Sequence, residues 1–261
     1  MDLRKYGPWA LIVGGSEGIG AAFARQLAAS GFALVLAARK PGPLEALAAE
    51  LRCGGAEVRT VQVDLAQSDA LERVRALTDD VEVGLLIYNA GANNTRGNFV
   101  ELPAEVTRSV IAITVTGQSE FARHYGAAMC GRGRGGMILC GSQSGYMGAP
   151  SLAAYTAAKA FSRVFSEALW AECAAFGVDV LHLNVGFTAT PAMERLGIDT
   201  AAAQSPDEVA REGLAHIANG PVWLPGGEAS LERARQRSVV DGRGAAIRAF
   251  ATPSREAIVR R

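Results

Sequence analysis

Trp9-Ala10-Leu11-Ile12-Val13-Gly14-Gly15-Ser16-Glu17-Gly18-Ile19-Gly20 is the stretch on which the reading of this chain turns. Five apolar residues, the length of a buried strand, run into glycines spaced Gly-x-x-x-Gly-x-Gly, and from Ile19 onward apolar residues recur at helical spacing. A strand that passes through a glycine turn into a helix aims free backbone N–H groups and a positive helix end at one point, where a diphosphate can sit. Glycine removes the Cβ that would hold the phosphates away. Taken alone, such a turn serves equally as a plain structural turn. Its place at the first strand–helix junction of an alternating chain favours the anion cradle, with Gly14, Ser16, Glu17, Gly18, Ile19 and Gly20 as the lining residues.

Outward from this stretch, short aliphatic runs at 9–13, 33–37, 58–63, 83–88, 137–140, 178–183 and 221–224 alternate with amphipathic segments at 19–29, 44–51, 70–77, 104–129, 153–176 and 207–218. The alternation predicts an α/β fold, a Rossmann-type doubly wound parallel sheet of about seven strands with helices on both faces. A length of 261 residues suits a single domain over 1–261 with its core at about 9–225. Residues 188–206 follow the sixth strand and read as a mobile loop. It either closes over a substrate at the carboxyl edge of the sheet or is a surface insertion. Residues 228–261 hold eight Arg against three Glu and one Asp, so the tail is basic: a solvated terminus, or a docking segment for a partner subunit, an acidic carrier or a lipid surface.

Lys plus Arg and Asp plus Glu are 26 each, so no global field concentrates the chain on nucleic acid or an anionic membrane, and a small-molecule partner is favoured. The four cysteines have neither metal-ligand nor disulfide spacing, no metal site is expected, and a reducing cytoplasm is the simpler setting. No signal peptide or membrane span is expected either. His124, His182 and His216 lack the spacing of a hydrolase triad and read as surface or strand-end residues.

At the end of the second strand stands Ala37-Ala38-Arg39-Lys40, with no carboxylate to hold ribose hydroxyls. Arg39 and Lys40 would instead attract an extra phosphate, so NADP(H) is preferred over NAD(H), with Glu17 on the same side as a counterweight. In Tyr155-Thr156-Ala157-Ala158-Lys159 the four-residue step puts phenol and ammonium on one helix face. At about 4 Å and an effective dielectric near 20 their attraction is worth about 4 kcal/mol, enough to bring the phenol toward neutral pH. Ser142, just past the fifth strand, is placed to hold a carbonyl oxygen. Tyr146, Met147, Phe187, Met193 and Leu196 would wall an apolar pocket, and Phe161 and Trp170 are core or subunit contacts.

The ordered set Gly14-x-x-x-Gly18-x-Gly20, Asp64, Asn89-Ala90-Gly91, Ser142 and Tyr155-x-x-x-Lys159 resembles the short-chain dehydrogenase/reductase family from about Trp9 to Leu224. The resemblance implies that Ser142 orients the substrate, Tyr155 is general acid or base, and Lys159 binds the nicotinamide ribose and tunes Tyr155. It places Asp64 and Leu65 at the adenine, Asn89, Ala90 and Gly91 beneath the cofactor, and Gly186, Thr188 and Thr190 near the carboxamide. It also implies a homodimer or homotetramer. Three positions depart from the pattern: Val13 for Thr, Val185 for Pro, and Thr114 for the Asn that supports a helix kink and a water beside the lysine. Thr114 offers a hydroxyl but not an amide's donors and carbonyl. The expected activity is therefore reversible carbonyl reduction on an apolar alcohol or ketone, and the rival reading is an NADPH-binding regulatory protein with little catalysis.

Overall fold

The computed structural model describes residues 3–91 and 96–249. One parallel sheet holds β1 (Trp9–Val13), β2 (Ala33–Ala38), β3 (Val58–Gln62), β4 (Val83–Tyr88), β5 (Gly135–Cys140), β6 (Val178–Leu183) and β7 (Val222–Trp223) in the order β3-β2-β1-β4-β5-β6-β7. Around it run α1 (Gly18–Ala29), α2 (Pro41–Cys53), α3 (Ala70–Arg75), α4 (Ala104–Ile111), α5 (Gln118–Arg132), α6 (Ala153–Ala174), α7 (Pro191–Arg195), α8 (Pro206–His216) and α9 (Gly227–Ser238). The central strands carry no charged residue because both faces are covered, and β1, β4 and β5 are buried at every position. Phe23 and Leu27 of α1, Leu44 and Leu47 of α2 and Leu214 of α8 pack on one face. Val74 of α3 and Phe121, Tyr125 and Met129 of α5 pack on the other. The doubly wound α/β fold expected from the alternation is what forms.

Strand order reverses between β1 and β4: the chain moves outward through β2 and β3, then returns to pair β4 against β1. Val13 aligns with Ala37 on one side and Tyr88 on the other. Gly14 and Asn89 therefore leave the sheet side by side, where open parallel sheets carry their ligand crevice.

Four local features differ from the sequence expectation. Strand β5 begins two residues before Met137, with glycines: a Cβ on Gly136 would lie 2.8 Å from both the Tyr6 ring and Ile217, so that strand position tolerates no side chain. The long helix expected at 104–129 is broken by a π-helical turn, Ala112–Gly117, between α4 and α5. There the Tyr88 hydroxyl donates to the Ile113 carbonyl (2.6 Å), and a Cβ on Gly117 would press on that hydroxyl at 2.6 Å. The loop at 188–206 contains α7 and is pinched at its base, where Gln204 N donates to Phe187 O and Ala189 N to Gln204 O, both at 2.9 Å.

The basic tail is not simply a solvated terminus as far as residue 249. Helix α9 packs down through Ser230 and Ala234, Arg233 reaches Gln143 (3.5 Å), and Arg243 donates to the Tyr146 carbonyl (2.7 Å). Periodicity missed α9 because its apolar stripe is thin and its docking uses arginines. The rest of the tail lies outside the described residues. Among the described residues no helix is long and apolar enough to cross a membrane.

Candidate active site

The cradle is built from backbone. Gly14 N and Gly15 N donate to Ala37 O (2.8 and 3.2 Å), and Asn89 N and Ala90 N donate to Val13 O (2.8 and 3.0 Å). The Asn89 amide closes the turn onto the Gly14 carbonyl at 3.0 Å. Gly14 has φ +83°, and a Cβ there would meet Ala90 N at 2.8 Å. A Cβ on Gly20 would overlap the Gly14 carbonyl outright. Glu17 is the N-cap of α1 yet makes no side-chain cap, so the first-turn N–H groups stay available to an anion. This turn fits a dinucleotide diphosphate.

Around it the expected adenine-side residues divide. Arg39 is exposed at the rim with no side-chain partner among the described residues. Lys40 instead bonds Glu17 (3.2 and 3.4 Å), an engagement that sequence spacing could not reveal. Burial opposes ionisation of Glu17, but the bonds from Arg195 and Lys40 prevail and hold its carboxyl below the ordinary range. Asp64 shapes its own turn by accepting from Ala66 N (3.0 Å), and Leu65 packs against the core beside it. Ser16 is half-buried in the glycine turn, and Ile19 is buried at the start of α1.

At the carboxyl ends of β5 and β4 the structure brings Ser142, Tyr155, Lys159, Thr114 and Gly91 together. Ser142 caps the short turn Gln143–Tyr146 by accepting from Ser144 N (3.2 Å), and its hydroxyl stands near enough to the Tyr155 phenol to favour the ionised form. Lys159 is buried and donates to the Cys140 carbonyl at 3.0 Å, its nitrogen 5.9 Å from the Tyr155 ring centre. A Cβ on Gly91 would lie 3.0 Å from the Thr114 hydroxyl and 3.1 Å from Lys159 Nζ, so both groups crowd one small space. Thr114 sits inside the π-helical turn, the kink that the resemblance implied.

The electrostatics correct one expectation. Burial pushes the Tyr155 phenol up, and the neighbouring Ser142 hydroxyl and the Arg96 charge draw it only part-way back. The ammonium of Lys159 is turned to Cys140 and stands too far off to pull the phenol toward neutrality. Lys159 itself is lowered to about 8 by burial, so it remains charged at neutral pH. His182, at the end of β6 as the sequence suggested but buried there, is lowered to about 3 and stays neutral, with the Ser166 hydroxyl 3.3 Å from its Nδ1.

Gly186, Thr188 and Thr190 lie along the base of the 187–204 segment. The Thr188 hydroxyl donates to Gly186 O (3.2 Å), and Thr190 caps α7 by accepting from Met193 N (3.4 Å). The expected apolar wall divides too. An open depression of about 390 Å³ is lined by Tyr146, Leu231, Ala234, Arg235, Ser238 and Val239, and the cleft against Tyr155 by Phe99, Leu102, Val106 and Val110, among others. Of the five residues expected, only Tyr146 lines either one, because the 96–110 connection and α9 occupy that ground. Among the described residues no cluster of His, Cys, Asp or Glu could hold a metal ion.

The family model for short chain dehydrogenase matches residues 8–200. The chain belongs to the short-chain dehydrogenase family. It is 32% identical over 247 residues, 92% of this chain and 94% of the relative, to a 7beta-hydroxysteroid dehydrogenase of Clostridium sardiniense. It is 34% identical to a very-long-chain 3-oxoacyl-CoA reductase of Neurospora crassa, over 83% of this chain and 67% of that one. A solved 7beta-hydroxysteroid dehydrogenase superimposes with a TM-score of 0.89 at 28% identity, covering 95% of this chain and 98% of that chain. A short-chain dehydrogenase from Sphingobium yanoikuyae, solved with NADPH, gives 0.78 at 33% identity over 88% and 94%. This dehydrogenase is accordingly an oxidoreductase that acts on hydroxyl and carbonyl groups.

Proposed function

We propose that this dehydrogenase moves a hydride between NADP(H) and the carbonyl or secondary alcohol carbon of a largely apolar substrate, with Tyr155 as general acid and base. The observation that carries the reading is the meeting of the Tyr155 and Ser142 hydroxyls beside the buried Lys159 ammonium. A nicotinamide dinucleotide bound along the glycine turn supplies or accepts the hydride. Ser142 holds the substrate oxygen. Tyr155, kept protonated by burial, donates its proton to that oxygen in reduction and recovers it in oxidation. Lys159, its ammonium held 5.9 Å from the ring centre by the bond to the Cys140 carbonyl, binds the nicotinamide ribose and keeps a positive charge at the site. Thr114 holds a water by its hydroxyl beside that ammonium.

Exposed Arg39 and the missing carboxylate at the end of β2 support NADP(H) over NAD(H), as does the NADPH-bound Sphingobium relative. The apolar lining at Phe99, Leu102 and Val106 supports an apolar substrate, and the steroid and acyl-CoA relatives support a bulky one. Ile111 of α4 and Val164 and Trp170 of α6, all exposed, support a homodimer through those helices. Steroid, aliphatic and aromatic ketones and acyl thioesters assayed with NADPH and with NADH in parallel test the reading. NADPH consumption with at least one class, lost in Tyr155→Phe, is expected. Turnover of that substrate by Tyr155→Phe at the parent rate would overturn it.

A further inference from the structure

The 187–204 segment is tied to the cofactor turn at its tip as well as pinched at its base. From α7, Arg195 donates two bonds to the Glu17 carboxylate (Nη1 to Oε1 3.1 Å, Nη2 to Oε2 2.7 Å). The same carboxylate takes Lys40 at 3.2 and 3.4 Å, so one anion holds a cation from the segment and another from the end of β2. Beside this cluster the Thr190 methyl lies 3.0 Å, and Pro191 Cδ 3.7 Å, from where a Cβ on Gly18 would stand; only a glycine lets α7 come so close. An isolated surface ion pair contributes little, but a two-pronged guanidinium–carboxylate pair within a network of three charges is the favourable case.

We infer that Glu17 and Arg195 form a latch by which the glycine turn holds the 187–204 segment across the cofactor crevice, making Arg195 a positioning residue for cofactor retention. The geometry explains why a carboxylate stands at the N-cap of an anion-binding helix, where it would repel phosphate: two cations neutralise it, and it is turned to the segment instead of the helix N–H groups. The inference rests on the proposed dinucleotide site for its consequence, though not for the latch itself.

Two measurements test it on the full chain. Hydrogen exchange of the cofactor-free protein should show amides of 187–204 exchanging about three- to tenfold faster in Arg195→Met and in Glu17→Gln, with no further gain in the double variant. Raising the salt to about 1 M should speed exchange in the parent and leave Arg195→Met unchanged. Stopped-flow displacement should show NADPH leaving Arg195→Met faster by a similar factor, with Arg195→Lys in between. Unchanged exchange in Arg195→Met, or single effects that multiply in the double variant, would overturn the latch. Faster exchange with an unchanged NADPH off-rate would overturn its role in retention. Failure of the parent chain to bind either NADPH or NADH would instead sink the dinucleotide reading, while the exchange arm still decides the latch.

Discussion

The glycine turn and the 187–204 segment that leans on it are held by different physics. Gly14, Gly15, Asn89 and Ala90 are fixed by main-chain bonds to the ends of β1 and β2, and the turn closes only because Gly14 and Gly20 lack a Cβ. The segment meets the turn through a charge pair, Arg195 on Glu17, half open to water, and through van der Waals contact at Gly18. Backbone geometry of the first kind responds to neither salt nor pH in the ordinary range, whereas a partly exposed ion pair weakens with salt. The difference teaches a division of labour: a rigid floor places the cofactor, and an adjustable cover sets how long it stays.

The largest expected effect isolates the chemistry from both regions. Tyr155→Phe should lower kcat by about 10²–10⁴-fold while NADPH affinity changes by no more than about threefold, read by steady-state rates against a fluorescence titration. A parallel collapse of NADPH binding would mean that floor and chemistry are not separable here.

His182, buried at the end of β6 against Gly141 and Ser166 and away from the glycine turn, adds a pH-dependent element to the contrast. It is neutral in the fold down to about pH 3, whereas the unfolded chain binds its proton below about 6.5. The unfolded state therefore carries the extra proton between those values, and stability falls as pH falls through that window. From pH 7 to 4.5 this group should remove about 2–3 kcal/mol, seen as a lower urea midpoint, and His182→Asn should lose less over the same interval.

Adding one methyl group to the floor should be felt throughout the molecule. Gly20→Ala drives a Cβ into the Gly14 carbonyl, and overpacking of this kind costs about 1–3 kcal/mol, so Tm should drop by several degrees and NADPH binding weaken with it. Arg195→Met, on the cover, should move Tm by less than about one or two degrees. Equal Tm losses in the two variants would break the distinction. The smallest effect belongs to the rim: Arg39→Ser should shift the NADPH-to-NADH preference by about tenfold, measured as the ratio of kcat/KM values.

How far the molecule is legible from its sequence varies with the kind of interaction. Strands β1 and β4 stand at their expected bounds because a strand buried on both faces is a near-continuous apolar run, and β6 keeps its bounds although Asp179 and His182 interrupt the run. The start of β5 was not readable, since Gly135 and Gly136 carry no strand signal and serve there by making room, Gly135 for Met129 and Gly136 for Tyr6 and Ile217. The step from Tyr155 to Lys159 reads as a shared helix face, and the two side chains are neighbours at the sheet edge. Their electrostatic balance was not readable, because it depends on how deeply the phenol is buried and on Lys159 turning to Cys140.

What the sequence determined by itself is whatever rests on periodicity, on glycine and on residues a few positions apart: the alternation of strands and helices, the cofactor turn, and the pairing of phenol with ammonium. Tertiary structure alone decided that Lys40 and Arg195 converge on Glu17, that Arg233 and Arg243 dock the tail on Gln143 and Tyr146, and that Phe99 and Val106 wall the cleft. The physical reason is range. Local patterns record what the backbone does within a few residues, whereas an ion pair between positions 17 and 195 exists only once the sheet has brought the two ends together.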